Sequence, residues 1–180
     1  MRLQASLLAL AIVAPTAVRA EMDTCVAGLW LMDLDDFAHI YADTMGATAA
    51  TATGDVRLRV FPDGKASIGI NDLVLGVEMP DMPPLKVTLQ GGTDYDMTFL
   101  GESSMSFVTD TFSITATADV MGMPMVIPIS SDDGLFGAGL AEYGCSEDSL
   151  SVETGDPVRF PRHWTRLPCT ARSCEGAPES

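Results

Sequence analysis

Residues 111–120 read Thr-Phe-Ser-Ile-Thr-Ala-Thr-Ala-Asp-Val, a strict alternation that puts Phe112, Ile114, Ala116, Ala118 and Val120 on one side and Thr111, Ser113, Thr115, Thr117 and Asp119 on the other. Successive side chains of a strand point to opposite faces, so this segment can bury one continuous apolar face only as β-structure. A strand with one polar face belongs to an antiparallel sheet. The same period of two recurs where Val56, Leu58 and Val60 alternate with Asp55, Arg57 and Arg59, and where Leu85, Val87 and Leu89 alternate with Lys86, Thr88 and Gln90. Pro62-Asp63-Gly64-Lys65 is a turn signal that sends the chain back through Ile68 and Ile70, and Gly91-Gly92 reads as another, ahead of a strand around Met97 and Phe99. Further strands are expected at 25–34, 123–130, 138–144, 148–153 and 157–166.

Only Phe37, Ile40 and Tyr41 have helical spacing, with Asp35 or Asp36 expected as the cap. The Ala/Thr-rich stretch 47–54 lacks apolar periodicity and is expected to be a loop. Turn signals at hairpin spacing with a single helical segment predict an all-β fold, an antiparallel up-and-down barrel of about eight to ten strands with one short helix after the first, or alternatively a β-sandwich. A parallel α/β fold, which alternates strands with helices throughout, is excluded.

The first twenty residues have the order of a secretory signal: Met1-Arg2, an apolar run from Leu7 to Val13, then Pro15 and Val18-Arg19-Ala20. That run falls short of the roughly 20 residues needed to span a bilayer. The expected organisation is a signal peptide at 1–20, a barrel domain at 21–167 and a tail at 168–180, with a periplasmic or secreted destination. Loss of Arg2 and Arg19 takes the formal charge from -15 to -17. So acidic a chain repels nucleic acid and anionic membrane surfaces.

Four cysteines in an exported chain point to disulfides. Three connectivities are open. The expected pairs are Cys25 with Cys145, joining the first strand to a late one, and Cys169 with Cys174, closing a small ring in the tail.

Three local patterns stand out: Cys25-x-x-Gly28-x-Trp30 at the start, Tyr143-x-Cys145-x-x-Asp148-x-Leu150 late in the chain, and Phe160-Pro161-Arg162-His163-Trp164-Thr165-Arg166. Together they resemble small exported bacterial domains of lipocalin-like type. The resemblance implies that Trp30 closes one barrel end and that Arg166 packs on its indole. Thr93-Asp94-Tyr95 matches the tripeptide of a second lipocalin motif, but no arginine follows until Arg159, and the stretch reads as a hairpin turn.

Catalytic signatures are absent. The two histidines, His39 and His163, have no metal-binding spacing, no Gly-x-Ser-x-Gly elbow exists, and paired cysteines leave no thiol nucleophile. Asp33-x-Asp35-Asp36 and Ser131-Asp132-Asp133-Gly134 lack calcium-loop spacing and read as a helix cap and a turn. The chain is therefore read as a non-enzyme without a cofactor. The leading expectation is a carrier for a small apolar molecule, buried against Met97, Phe99, Phe112, Ile114, Ala116 and Ala118 in a methionine-rich barrel. The alternative is a cell-envelope interaction module with a filled barrel, its Pro-rich segment Met79–Pro84 projecting as an extended loop. Third is Cu(I) binding through Met121, Met123 and Met125, with Met79 and Met82 upstream, since thioethers are soft ligands.

Overall fold

The alternating segments become ten strands, and the computed structural model describes residues 22–120, 122–131, 135–156 and 159–168. In chain order these are β1 (Gly28–Met32), helix α1 (Leu34–Met45), β2 (Ala49–Val60), β3 (Lys65–Glu78), β4 (Leu85–Phe99), β5 (Ser104–Phe112), β6 (Thr115–Val120), β7 (Met123–Ile127), β8 (Gly139–Cys145), β9 (Ser149–Thr154) and β10 (His163–Arg166). Every pairing is antiparallel. The order β3-β2-β1-β10-β9-β8-β5-β4 closes through a β3–β4 pair into an eight-stranded ring, and β6 and β7 extend outward from β4. The barrel expected from the alternation is thus the architecture found.

The strands β2, β3 and β4 serve two sheets. Their lower halves build the ring. Their upper halves, with β6 and β7, form a five-stranded flare with apolar rows running straight across it: Ala52–Leu75–Val87–Ala118–Met125 and Leu73–Leu89–Ala116–Ile127. The two sheets meet at a crease. Gly54 and Gly91 lie there at φ +129° and +114°, where a Cβ would collide with the Asp72 and Ser113 carbonyls, respectively. Asp72 is itself left-handed at φ 51°, and the β2–β3 and β3–β4 registers shift beside it. An extra residue at such a point bends a strand and raises its twist.

Five readings of the chain are corrected by the observed elements. Gly91-Gly92 and Thr93-Asp94-Tyr95 are not turns: β4 runs through both, because glycine lets the backbone bend while staying paired, and Thr93 and Tyr95 point into the core. Residues 111–120 are two strands, since Ser113–Ile114 sits on the crease. Residues 49–54 are strand, their Ala/Thr side chains fitting the thin edge of the flare. The helix begins earlier than expected, with Asp33 as the cap accepting from the Asp35 and Asp36 amides, and it ends on Gly46 in the left-handed region.

At the closed end the Arg166 guanidinium carbon lies 4.0 Å from the centre of the Trp30 ring. Its N–H groups donate to the carbonyls of Cys25, Ala27 and Glu147, while the Trp30 indole N–H donates to Val26 at 2.9 Å. One side chain thereby ties the N-terminal segment, β10 and the β8–β9 turn over the fully buried indole. The Cys25–Cys145 disulfide closes the same end, across 120 residues of sequence. On the chain-entropy account a loop of that length stabilises by about 5 kcal/mol. Cys169 and Cys174 lie outside the described residues. Among the described residues no helix is long and apolar enough to cross a membrane.

Replacing Arg166 by Met keeps the aliphatic stem but removes the cation and every carbonyl contact. It should cost about 2–3 kcal/mol of unfolding free energy, read from urea denaturation. An unchanged midpoint would show that the guanidinium adds nothing to closure.

Candidate functional site

The ring interior is occupied by its own side chains. Tyr95 stands edge-on to Phe107 at 5.8 Å between centroids, Phe107 packs on Phe160 at 5.0 Å, Phe160 on Trp164 at 5.8 Å, and Phe99 edge-on to Tyr143 at 5.4 Å. Among Leu58, Tyr95, Met97, Met105, Phe107, Leu150, Val152 and Phe160 there remains a space of about 10 Å³. One water needs roughly 10–15 Å³ of such volume, so this gap admits no organic ligand. The Tyr95 hydroxyl donates to the Phe136 carbonyl, and the Phe136 amide donates to Arg159. Burial drives the Tyr95 hydroxyl pKa well above the ordinary tyrosine value.

The six residues expected to line a ligand cavity are not gathered around one. Met97 borders the residual gap, and Phe99 is packed against Tyr143. Phe112 is half-buried at the end of β5, and Ile114 is buried in the link to β6. Ala116 and Ala118 lie on β6, outside the ring, in the apolar rows of the flare. The break at the crease separates them from the barrel.

The methionines are divided in the same way. Met32 and Met105 are buried in the core and Met97 packs against it. Met45, Met82, Met123 and Met125 are exposed at 48–67 %. These four sit at one rim of the flare: Met45 ends α1, just before Thr48 bonds Glu78; Met82 is in the β3–β4 loop with Met79; Met123 and Met125 share one face of β7. Met121 lies outside the described residues.

A second exposed surface was not legible in the sequence. A groove of about 660 Å³ runs along the outside of the ring, lined by Leu100, Ser104, Met105, Leu140, Ala141, Glu142, Glu153, Thr154 and Gly155. Leu100 and Leu140 are 57 % and 68 % exposed. Glu142 and Glu153 are direct cross-strand partners, so two carboxylates face each other. In Leu140-Ala141-Glu142-Tyr143 both parities carry an apolar residue, which hides Leu140 from a period-two reading.

The remaining candidates are structural. His39 is exposed, 3.7 Å from Asp43 on the same helix, and His163 Nδ1 lies 3.0 Å from Asp36, joining β10 to α1. Asp33, Asp35 and Asp36 belong to the helix start, and Asp132–Gly134 lie outside the described residues. Among the described residues no group of three His, Cys, Asp or Glu side chains is arranged to hold a metal. Comparison with protein-family models, curated proteins and solved structures finds no match.

Tyr95→Phe leaves the ring in place and strips the buried Phe136 carbonyl of its donor. The expected loss is about 1–3 kcal/mol in chemical denaturation. A neutral outcome would mean that water reaches Phe136 and that the mouth is looser than the packing indicates.

Proposed function

We propose that this chain is an exported, non-catalytic interaction module of lipocalin-like descent, a filled barrel that serves as a rigid scaffold for contacts made on its outside. The observation that carries this reading is the aromatic packing of the ring, whose gap among Leu58, Tyr95, Met97 and Phe160 measures about 10 Å³, which favours a packed module over a carrier of apolar molecules. Export is supported by the signal-like first twenty residues and by the Cys25–Cys145 disulfide, a bond that persists in oxidising compartments. Lipocalin-like descent is supported by the Gly28-x-Trp30 start and by Arg166 over the indole. The exposed Leu100, Leu140, Met123, Met125 and Val126 supply apolar surface for a protein partner.

Native mass spectrometry of protein purified from its own envelope is the test. A clean apo mass is expected. A stoichiometric small apolar adduct would overturn the module reading and return the carrier.

A second reading is favoured by the gathering of exposed methionines at one rim. Met123 and Met125, two residues apart on one strand face, present two thioethers to the same side, with Met79 and Met82 in the loop at that end of the sheet. Thioether ligands select Cu(I). Competition against a chromophoric Cu(I) chelator should reveal affinity that is lost when Met123 and Met125 are both changed to Leu. No measurable affinity in the unmodified protein ends this reading.

A further inference from the structure

We propose that the groove between the β4–β5 loop and the β8–β9 pair docks a segment of a partner protein that carries lysine or arginine beside an apolar side chain. This rests on the interaction-module reading and names the partner chemistry of one surface. Two independent features of the groove demand it.

The first is charge. Glu142 and Glu153 are directly opposed across an antiparallel pair, where Cβ atoms stand about 4.5–5.5 Å apart and like charges oppose pairing. Arg162 relieves Glu153, with Nη2 at 2.7 Å from its carboxylate. The Glu142 side chain has no ion-pair or hydrogen-bond partner among the described residues. A lysine or arginine arriving from outside would complete an alternating set of two carboxylates and two cations. The formal charge of -15 adds a field that draws such a segment in, screened beyond about 8 Å at physiological salt.

The second is apolar surface in the same place. Leu140 shares its strand face with Glu142, two residues on, and Leu100 rises from the neighbouring loop. Across β5 the partners of Leu140 and Glu142 are Ser106 and Ser104, small side chains that leave the leucine and the carboxylate standing above the sheet. The floor beneath is the buried pair Met105 and Ala141. A purely polar cation satisfies Glu142 and leaves both leucines in water; a purely apolar segment leaves the carboxylates opposed. Only a segment with both chemistries meets both needs.

The test is NMR amide-shift mapping of the isotope-labelled, disulfide-bonded protein at physiological ionic strength. The probe is an octapeptide of alternating lysine and leucine, run against octapeptides of alternating lysine and serine and of alternating glutamate and leucine. Shifts are expected at residues 100–104, 140–142 and 153–155, with the lysine–leucine peptide binding tightest. Glu142→Gln and Leu140→Ser, both at exposed positions that leave the core untouched, should each weaken it by about fivefold or more. Asp81→Asn, in the β3–β4 loop, should not. Equal binding of the lysine–serine peptide, or indifference to Leu140→Ser, would reduce the attraction to bulk charge and overturn the proposal. So would Ca²⁺ alone reproducing the shifts at both glutamates, which would make the groove a cation site. If the peptide fails while the native mass is clean, the module reading stands and its contact surface lies elsewhere; an apolar adduct in the native mass removes both.

Discussion

Three long strands cannot curl into a closed ring of eight and also lie in an open five-stranded sheet unless their backbones change direction along a shared line. Gly54 on β2, Asp72 on β3, Gly91 on β4 and Ser113 in the β5–β6 link form that line, Gly54 lying against the Asp72 carbonyl and Gly91 against that of Ser113. The close approach of Gly54 to Asp72 and of Gly91 to Ser113 leaves no space for a Cβ, so glycine is required by packing as well as by dihedral angle. Everything else in the fold follows from where the crease falls. Below it, side chains turn inward and the ring can close; above it, the same strands continue into the open flare, where β2 lies against α1.

Below the crease, closure leaves a cylinder that must be filled or hydrated. An eight-stranded barrel is just wide enough for side chains to fill, or for one small ligand to be held. Here aromatic residues decide the matter: Tyr95, Phe99, Phe107, Tyr143, Phe160 and Trp164 come from β4, β5, β8, β10 and the segment before β10, and their rings meet edge-on or tilted at 5.0–6.2 Å. Such contacts add stability beyond the burial of area itself. They also consume the volume a ligand would occupy. The closed end adds a different kind of order, since Arg166 satisfies three carbonyls that would otherwise be left at the edge of a buried indole.

Legibility from sequence divides along the same crease. The alternation at 56–60, 66–70, 85–89 and 111–120 announced antiparallel strands, and the Cys25–Cys145 pair was within reach because both cysteines flank strand signals in a chain that opens on a signal-like segment. What periodicity could not tell was whether Gly91-Gly92 turned the chain or only bent it. Both uses place glycine between two alternating runs; the difference is whether the runs pair with each other or continue along the same neighbours, which is a long-range property. From that ambiguity came the misplacement of Thr93-Asp94-Tyr95; the unbroken alternation of 111–120 separately joined the last residues of β5 to β6, left the rest of β5 unread, and assigned Ala116 and Ala118 to an interior they do not line. The outer groove was illegible for another reason. Its members come from two loops and three strands, and the opposition of Glu142 to Glu153 exists only in the β8–β9 register.

The distribution of methionine carries the argument one step further. A barrel that used its methionines to fill irregular gaps would hold them inside, as it does Met32 and Met105. Yet Met82, in the β3–β4 loop, and Met123 and Met125, on an edge strand that includes Pro124, stand in solvent at the end of the flare farthest from the ring. Proline in an edge strand is accommodated with its missing N–H toward solvent, which blunts backbone pairing with another chain. The β7 edge is thus guarded against strand addition while its apolar side chains remain on display. That combination suppresses indiscriminate sheet-to-sheet aggregation and leaves recognition to side chains. The groove beside β8 has the same logic, since its apolar pair is flanked by carboxylates that repel other copies of so acidic a chain. Both surfaces expose apolar area only under a device that restricts what can approach, which is the arrangement selective contact requires.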